Sequence, residues 1–576
     1  MNTNRILMQK YKQYLMPSIL TTLALALNEF VDCMIVSNLL GSDALAVANL
    51  GCPVILLIAA GYVLFGNGGA ILYAIFLGKW DRDSAGKIFR LSMILSGLVG
   101  FLFLFLGMLL STPFTKLLCP DESLLSGFQT YYQVLLFTAP VLMLSLTFVS
   151  FLPPSGAPMI ASVFNLVANG TNLVMDIVYI KVFGMGIEGA GYATITGYVI
   201  GFFVMLILMR IRGVKPVSKK LTKQDIPMSL KIMIQGLPAA MLQICFAIKY
   251  AFSNNMAGFY GGRDGVVAFS LCLQTFSIAS VFLLGVADTA QPLLAMLYGQ
   301  QDYVGERSVL RKSMRLQVVF AVGLILFFEI VPQAVAAMYG VTDPEVLRIG
   351  NTGIRIFALT YLPRGIAIQF MRFFQVEQRR KYAFLISLMD GLLVLPVGIV
   401  LCSFLELNGV YAAYPAAALI MLALIFCMNY RILRKEPDSY VGISLIRKDT
   451  SSLGTHTFTI TDASEDISKA SEQMIDFCTE KGVPPKQAFR VGLLIEEMAV
   501  YTRQHRTDKG DIDINLRLTD KEIAINFRSI GTPFDPTKDK EGDIPENMLM
   551  LKNMASKITY DYVMGMNNTQ ILIERS

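Results

Sequence analysis

The sequence predicts an all-α polytopic membrane protein, twelve transmembrane helices in two parallel six-helix lobes, with a C-terminal α/β sandwich domain. Three observations carry this. Of 576 residues, 54% are hydrophobic and 16% charged. With a mean hydropathy of +0.54, that balance suits lipid better than water. An internal repeat spaced by 221 residues divides the apolar part in two. Beyond about residue 436 the charges become dense and no run is long enough to span.

The apolar part is read as spans near 13–37, 46–76, 92–112, 131–151, 158–180, 189–209, 232–258, 266–297, 316–338, 353–374, 382–404 and 408–430. Residues 44–78 and 91–115 carry no charge, and a helix crosses the hydrocarbon core in roughly 20 residues. The uncharged run 123–175 is long enough for two spans, and "LPPSGAP" (152–158) supplies the turn between them. The polar, basic start "MNTNRILMQKYKQY" lacks a small-residue cleavage site, so a retained first span is expected. The eight cysteines form no CxxC pair, so neither a disulfide framework nor a zinc site is expected. The net charge of +6 belongs to loop Lys and Arg near lipid headgroups, and nucleic acid is an unnecessary partner.

Basic residues cluster on alternate connections: Arg5 to Lys12, Lys79 to Arg90, the Arg210–Lys231 linker, Arg307 to Arg315, Arg379 to Lys381 and Arg431 to Lys435. The positive-inside rule puts both termini in the cytoplasm of a plasma-membrane protein. In the repeat, Pro17 meets Pro238, Gly41 meets Gly262, Asp43 meets Asp264, Gly78 meets Gly299 and Asp81 meets Asp302. Arg90, Ser92 and Met93 meet Arg311, Ser313 and Met314 in the same ungapped register. Parallel halves around a central cavity are a transporter architecture. The expected division is 1–210 first lobe, 211–231 basic linker, 232–435 second lobe, 436–452 linker and 453–576 cytosolic domain. In that domain we read a strand at 455–461 and helices at 463–481 and 485–504. The hairpin "DIDINLRLT"/"EIAINFRSI", a loop 531–545, a helix 545–557 and strands "ITYDYV" and "TQILIER" follow.

Ionisable residues inside spans face a cavity or a partner, because lipid exposure is costly. In "FNLVANGTNLVMDIVYI" the residues Asn165, Asn169, Asn172 and Asp176 fall on one helical stripe. Asp32 lies in the first span, with Glu29 one turn before it. Oxygens from these two helices suit Na⁺, and the two aspartates suit exchangeable protons. Asn as helix glue explains one such residue, but four on one stripe argue for an ion or substrate site. In the second half, Asn28 meets Lys249 and Asp32 meets Ser253, and Asp176 falls close to Pro396. That half has Lys249, Asp288 and Asp390 instead. Two readings stand open: a substrate-contacting lobe, or Lys249 neutralised by Asp288 or Asp390.

The membrane part resembles the MATE family of multidrug and toxic compound extrusion antiporters, in the MOP superfamily. The similarity runs over about residues 10–435. It is carried by "VDCMIVSNLLGSDALAVANLGCPV", by "PSGAPMIASVFNLVANGTNLVMDIVYI" followed by "GMGIEGAGYATI", and by "GLPAAMLQ", "SNNMAGFYGG" and "QPLLAMLYG". The resemblance implies that Asp32, Asn172, Asp176 and Thr194 form the cation site of the first lobe, holding Na⁺ as metal if Na⁺ is the coupling ion. Glu29 and Asn169 are added as neighbours. Asn165, Lys249, Asp288, Gln291 and Asp390 are the substrate-cavity candidates. It implies Na⁺- or H⁺-driven export of cationic, amphipathic small molecules by alternating access, with no catalytic residue and no cofactor beyond the coupling ion. Glu29 stands where many bacterial relatives have a polar amide, and Asp390 where relatives often carry Arg or Gln.

The cytosolic tail is similar to the GHKL ATPase fold, a Bergerat-like sandwich, in its anti-sigma-factor serine-kinase branch. In "FRVGLLIEEMAVYTRQH", Glu497 and His505 fit the family pattern, but Tyr501 replaces the magnesium-binding Asn. In "FRSIGTPFDP", Gly531 and the Pro-Phe-Asp-Pro run fit, but Ser529 replaces the adenine-reading Asp. "EGDIPENMLMLKNM" lacks the Gly-rich phosphate loop. These losses imply a degenerate module that binds ATP weakly or not at all, and that receives a regulatory ligand or partner protein. The expected function is an ion-coupled exporter with a cytosolic regulatory domain. The alternatives are a receptor and serine kinase on a transporter scaffold, or a lipid-linked flippase.

Overall fold

The computed structural model describes residues 4–118, 122–333, 343–449, 452–461, 465–504, 510–537 and 551–575. The first lobe comprises α1 (Arg5–Leu40), α2 (Ser42–Gly78), α3 (Arg82–Leu109), the short α4 (Ser111–Leu118), α5 (Glu122–Ser150), α6 (Pro158–Ile177) and α7 (Glu188–Ile211). The second comprises α8 (Pro227–Gly299), α9 (Tyr303–Ile330), α10 (Pro344–Ala358), α11 (Tyr361–Val376), α12 (Arg380–Leu392), α13 (Val394–Leu405) and α14 (Leu407–Lys435). The turn at 151–156 separates α5 from α6, and Pro158, whose missing N–H costs nothing in a first turn, starts α6. After Ile177 the helix widens into one π-helical turn, Val178–Val182, a feature concentrated at functional sites.

Among the described residues, nine helical stretches are long and apolar enough to cross a membrane, against twelve spans expected. The difference has local causes. One stretch of 77 residues holds the seventh and eighth expected spans, divided at Gly262 where φ is 56°. The tenth expected span is broken into α10 and α11, only 15 and 16 residues long. The first lies within α1.

The repeat is visible in the backbone. Gly41 and Gly262 both take positive φ, as do Trp80 and Gln301. Asp81 and Asp302 each cap the following helix, accepting from the amides of Ser84 and Gly305. All of these pairs keep the spacing of 221. Further along, the positive-φ pairs Gly156/Gln378 and Gly184/Glu406 are 222 apart. The second half has therefore gained one residue, and Asp176 corresponds to Gly398, two residues past Pro396.

The lobes meet across α1, α2 and α8. A side chain at Gly236 would overlap the Leu64 carbonyl, and Gly78 and Gly299 pack backbone to backbone. Thr22 Oγ1 donates to the Val281 carbonyl at 2.9 Å and the Tyr11 hydroxyl to that of Val286 at 3.4 Å. These approaches lie toward one end of the bundle, termed here the domain face, because the C-terminal domain packs on it.

That domain is a five-stranded antiparallel sheet in the order β3-β4-β5-β7-β6: β3 (Ser452–Ile460), β4 (Ile512–Thr519), β5 (Glu522–Ile530), β6 (Lys557–Val563) and β7 (Met566–Glu574). Helices α15 (Glu465–Glu480) and α16 (Pro485–Gln504) cover one face. Strand alternation sends Ile514, Leu516, Leu518, Ile525 and Phe527 into a core with Val491, Ile495 and Met498. The expected helix 545–557 falls largely outside the described residues, of which Leu551–Met554 are helical. The expected linker 436–452 contains a small hairpin, β1 (Tyr440–Val441) and β2 (Ile446–Arg447). Arg379 Nη2 holds it by donating to the Leu445 carbonyl at 2.9 Å.

Candidate functional site

Two polar features sit within the first lobe and between the lobes. The α6 stripe is buried throughout: Asn165, Asn169, Asn172 and Asp176. Helix α7 lies close enough to cover it because Gly197 and Gly201 face Ala168. A side chain at Gly201 would come within 2.9 Å of the Ala168 methyl, so this small-xxx-small pair lets the two backbones approach. That approach brings Thr194 to Asn172, whose Nδ2 donates to Thr194 Oγ1 at 3.4 Å; Thr194 in turn donates to the Ala190 carbonyl at 3.1 Å.

Across from the stripe, Asp32 on α1 meets Asp176, and the two carboxyl groups interact directly. Among the described residues, no hydrogen-bond donor reaches either oxygen of Asp176, Oδ1 of Asp32 or Oδ1 of Asn28, and no acceptor receives from Nδ2 of Asn169. Buried polar atoms are ordinarily paired. Two carboxylates in contact repel unless a proton or a cation lies between them. The arrangement fits either. It offers two acids and neutral amide and hydroxyl oxygens, and the described residues hold no cluster of three or more His, Cys, Asp or Glu. Glu29 lies on α1 one turn nearer the domain face, with its side chain outside the described set.

A cavity of about 270 Å³ opens between the lobes, lined among others by Thr21, Tyr62, Asn67, Asn165, Asp288 and Gln291. Asn165 joins the two features: it lines the cavity while the rest of its stripe runs on to Asp176. Asp288 is 40% exposed there and pairs with the largely buried Arg372 at 2.9 Å. Gln291 Nε2 donates to Gln375 at 3.2 Å, and Asn67 Nδ2 donates to Gln291 at 3.4 Å.

Lys249 and Asp390, expected as cavity residues, are elsewhere. They belong to a buried cluster apart from that cavity. Lys249 Nζ donates to Asp390 Oδ2 at 3.3 Å, and Arg364 donates to Asp390 through Nε at 2.7 Å and Nη2 at 3.2 Å. The rings of Phe276 and Tyr414 flank the two cations. Burial makes an unpaired charge costly, so the carboxylate of Asp390 is matched by both cations. Arg364 and Arg372 were overlooked in the sequence. Their signal was two arginines eight residues apart inside one expected span, hence on one helical face.

In the C-terminal domain, Glu497 and Tyr501 lie on α16, Ser529 is the penultimate residue of β5, and Gly531 follows the strand with φ 137°; His505 lies outside the described residues. Tyr501, Phe534 and Tyr560 form a run of aromatic contacts with 6.2 Å between successive ring centroids. Burial, with Asp535 nearby, pushes the Tyr501 phenol up, so it stays protonated. Asn567 fastens the segment, accepting from the Phe534 amide and the Tyr560 hydroxyl.

The MatE family model matches residues 17–178 and 238–400, one match in each lobe. The multidrug export protein MepA of Staphylococcus aureus (strain MRSA252) is 22% identical over 398 residues, covering 69% of this chain and 87% of its own. The probable multidrug resistance protein YoeA of Bacillus subtilis (strain 168) is 21% identical over 425 residues, covering 72% and 91%. Among solved structures, a mutant of the Vibrio cholerae MATE transporter VcmN superposes with a TM-score of 0.69 at 20% identity, over 75% of this chain and 98% of that one.

Proposed function

The chain belongs to the MatE family, and from that premise we propose that it is an ion-coupled antiporter exporting small amphipathic, cationic compounds by alternating access. Members of the family are secondary transporters, not enzymes. The observation that carries the reading is the Asp32–Asp176 pair, with its orphaned oxygens, linked by one helical stripe to a cavity lined by the Asp288–Arg372 ion pair, whose carboxylate is the more exposed partner. The coupling ion is Na⁺ or H⁺. A proton shared by the two carboxyls, or a Na⁺ held by Asp32, Asp176, Asn172 and Thr194, removes their repulsion. Loss of that ion restores the repulsion and drives α1 away from α6. Because α1 also lines the cavity, ion release and solute release become coupled through one helix.

Both termini are read as cytoplasmic. The basic connections and the packing of the C-terminal sheet near the N-terminus support this. The C-terminal domain is read as a degenerate GHKL-like module with a regulatory role. The Tyr501–Phe534–Tyr560 contacts, beside the Tyr501 and Ser529 replacements, support loss of nucleotide binding. No comparable observation favours the receptor-kinase or flippase readings. The test is efflux of a fluorescent cation from proteoliposomes under separate Na⁺ and H⁺ gradients. Asp32→Asn and Asp176→Asn should each abolish gradient-driven efflux while solute binding persists; unimpaired efflux would refute the coupling site.

A further inference from the structure

The face of the C-terminal sheet turned away from its helices is polar and yet buried. Asp513, Asn515, Asn526, Arg528, Asp561 and Asn568 alternate with the core residues along their strands, and none is more than 6% exposed. The domain face of the two lobes covers them. On the second lobe, Arg528 reaches Asp302 at 2.6 Å and Gln300 at 2.7 Å, and Asn515 donates to Asp302 at 3.0 Å. On the first lobe, Arg82 Nε donates to Asp561 at 2.6 Å. The turn of the β6–β7 hairpin sits against Gly156, where its Met564 carbonyl accepts from the Tyr14 hydroxyl at 3.2 Å. The two anchor points, Arg82 beside Asp81 and Asp302 with Gln300, lie on loops related by the internal repeat. One rigid sheet thus grips the same loop in both lobes, across the line where Gly78 meets Gly299.

We propose that the C-terminal sheet is a releasable autoinhibitory clamp, which holds the lobes together on the domain face while docked and permits them to part when it lifts. The inference rests on the transporter reading, since only alternating access requires the lobes to separate there. The polarity argues for release: a face of charged and amide side chains is readily hydrated, unlike an apolar interface. Its hydrogen bonds can be exchanged for water while the domain's own core, on the opposite face of the sheet, stays covered; the apolar part of the contact lies at the β6–β7 turn, where Val563, Met564 and Met566 pack on the lobes. Docking, in contrast, opposes any motion that separates the two loops.

The test uses full-length protein in liposomes. Arg82→Glu and Asp561→Arg each place like charges together, and Glu at position 82 suits a helix N-terminus, so folding of α3 is not at risk. The double variant restores an ion pair in reverse. Hydrogen exchange over residues 557–574 reports docking, and gradient-driven efflux reports transport. Each single variant should lose protection there and transport about fivefold faster or more, and the double variant should return both readings to wild type. Loss of protection with unchanged or slower efflux, or no loss of protection, would overturn the clamp. No gradient-dependent efflux from any form would overturn the transporter reading and the clamp with it; wild-type efflux that Asp32→Asn abolishes but the charge changes leave untouched would overturn the clamp alone.

Discussion

At the residue scale, one ion pair, Asp288 with Arg372, sets the charge of the cavity wall. Asp288 is partly exposed there while its partner Arg372 is largely buried, with Nε and Nη1 lacking hydrogen-bond acceptors among the described residues. Asp288→Asn should therefore weaken cation transport, raising KM about tenfold. That corresponds to the loss of one charge-assisted contact worth roughly 1.5 kcal/mol. Neutral compounds should be spared, and a concentration series with cationic and neutral dyes checks this. The acids inside the spans were legible because any charge in an apolar run stands out. Their partners were less so. Lys249 had two possible mates in the sequence, Asp288 and Asp390. The fold pairs it with Asp390, adds Arg364, and leaves Asp288 to Arg372.

At the scale of elements, the α6–α7 contact holds the cation-site candidates. Gly197 lies against the Ala168 carbonyl and within 3.1 Å of Asn172, measured from where its side chain would begin. Gly197→Leu should push α7 outward, separate Thr194 from Asn172, and cost about 1–3 kcal/mol through overpacking. A lowered Tm in detergent together with weakened ion coupling is the expected result. The stripe Asn165–Asp176 was readable from spacing alone, since 3.6-residue periodicity fixes which residues share a side. What α7 contributes was not readable from spacing, because a glycine pair marks a close approach without saying to what.

At the scale of the molecule, the lobes are joined by a strand of chain strapped to the first lobe. Lys87 binds Asp225 at 2.9 Å, Asp83 binds Lys219 at 2.8 Å, and the Val217 amide donates to the Tyr73 hydroxyl at 2.9 Å. Asp225 also accepts from the amide and hydroxyl of Thr222 in a capping box at the entry to α8. Asp225→Asn removes the charge that Lys87 neutralises. It should raise the rate of proteolysis within residues 212–226 severalfold without changing the helical content, as limited digestion and circular dichroism would show. Charge composition marked this segment as a basic linker. That its lysines are partly tied to acids, and not all left for lipid headgroups, depends on distant helix starts.

By itself the sequence determined the membrane class, the two-lobe repeat, the described strands of the tail, and the polar stripe of α6 that meets Asp32. Each of these follows from local quantities: hydropathy over a span, the period of a helix or strand, a register of glycines and aspartates. Only the tertiary structure decided which buried charges pair and which wall of the cavity carries a carboxylate. It alone decided that the polar face of the tail's sheet lies across both lobes. Those outcomes depend on contacts between residues far apart in the chain, from Arg364 with Asp390 to Asp302 with Arg528 and Arg82 with Asp561. No periodicity encodes such pairs, because each exists only where packing brings opposite charges together away from water.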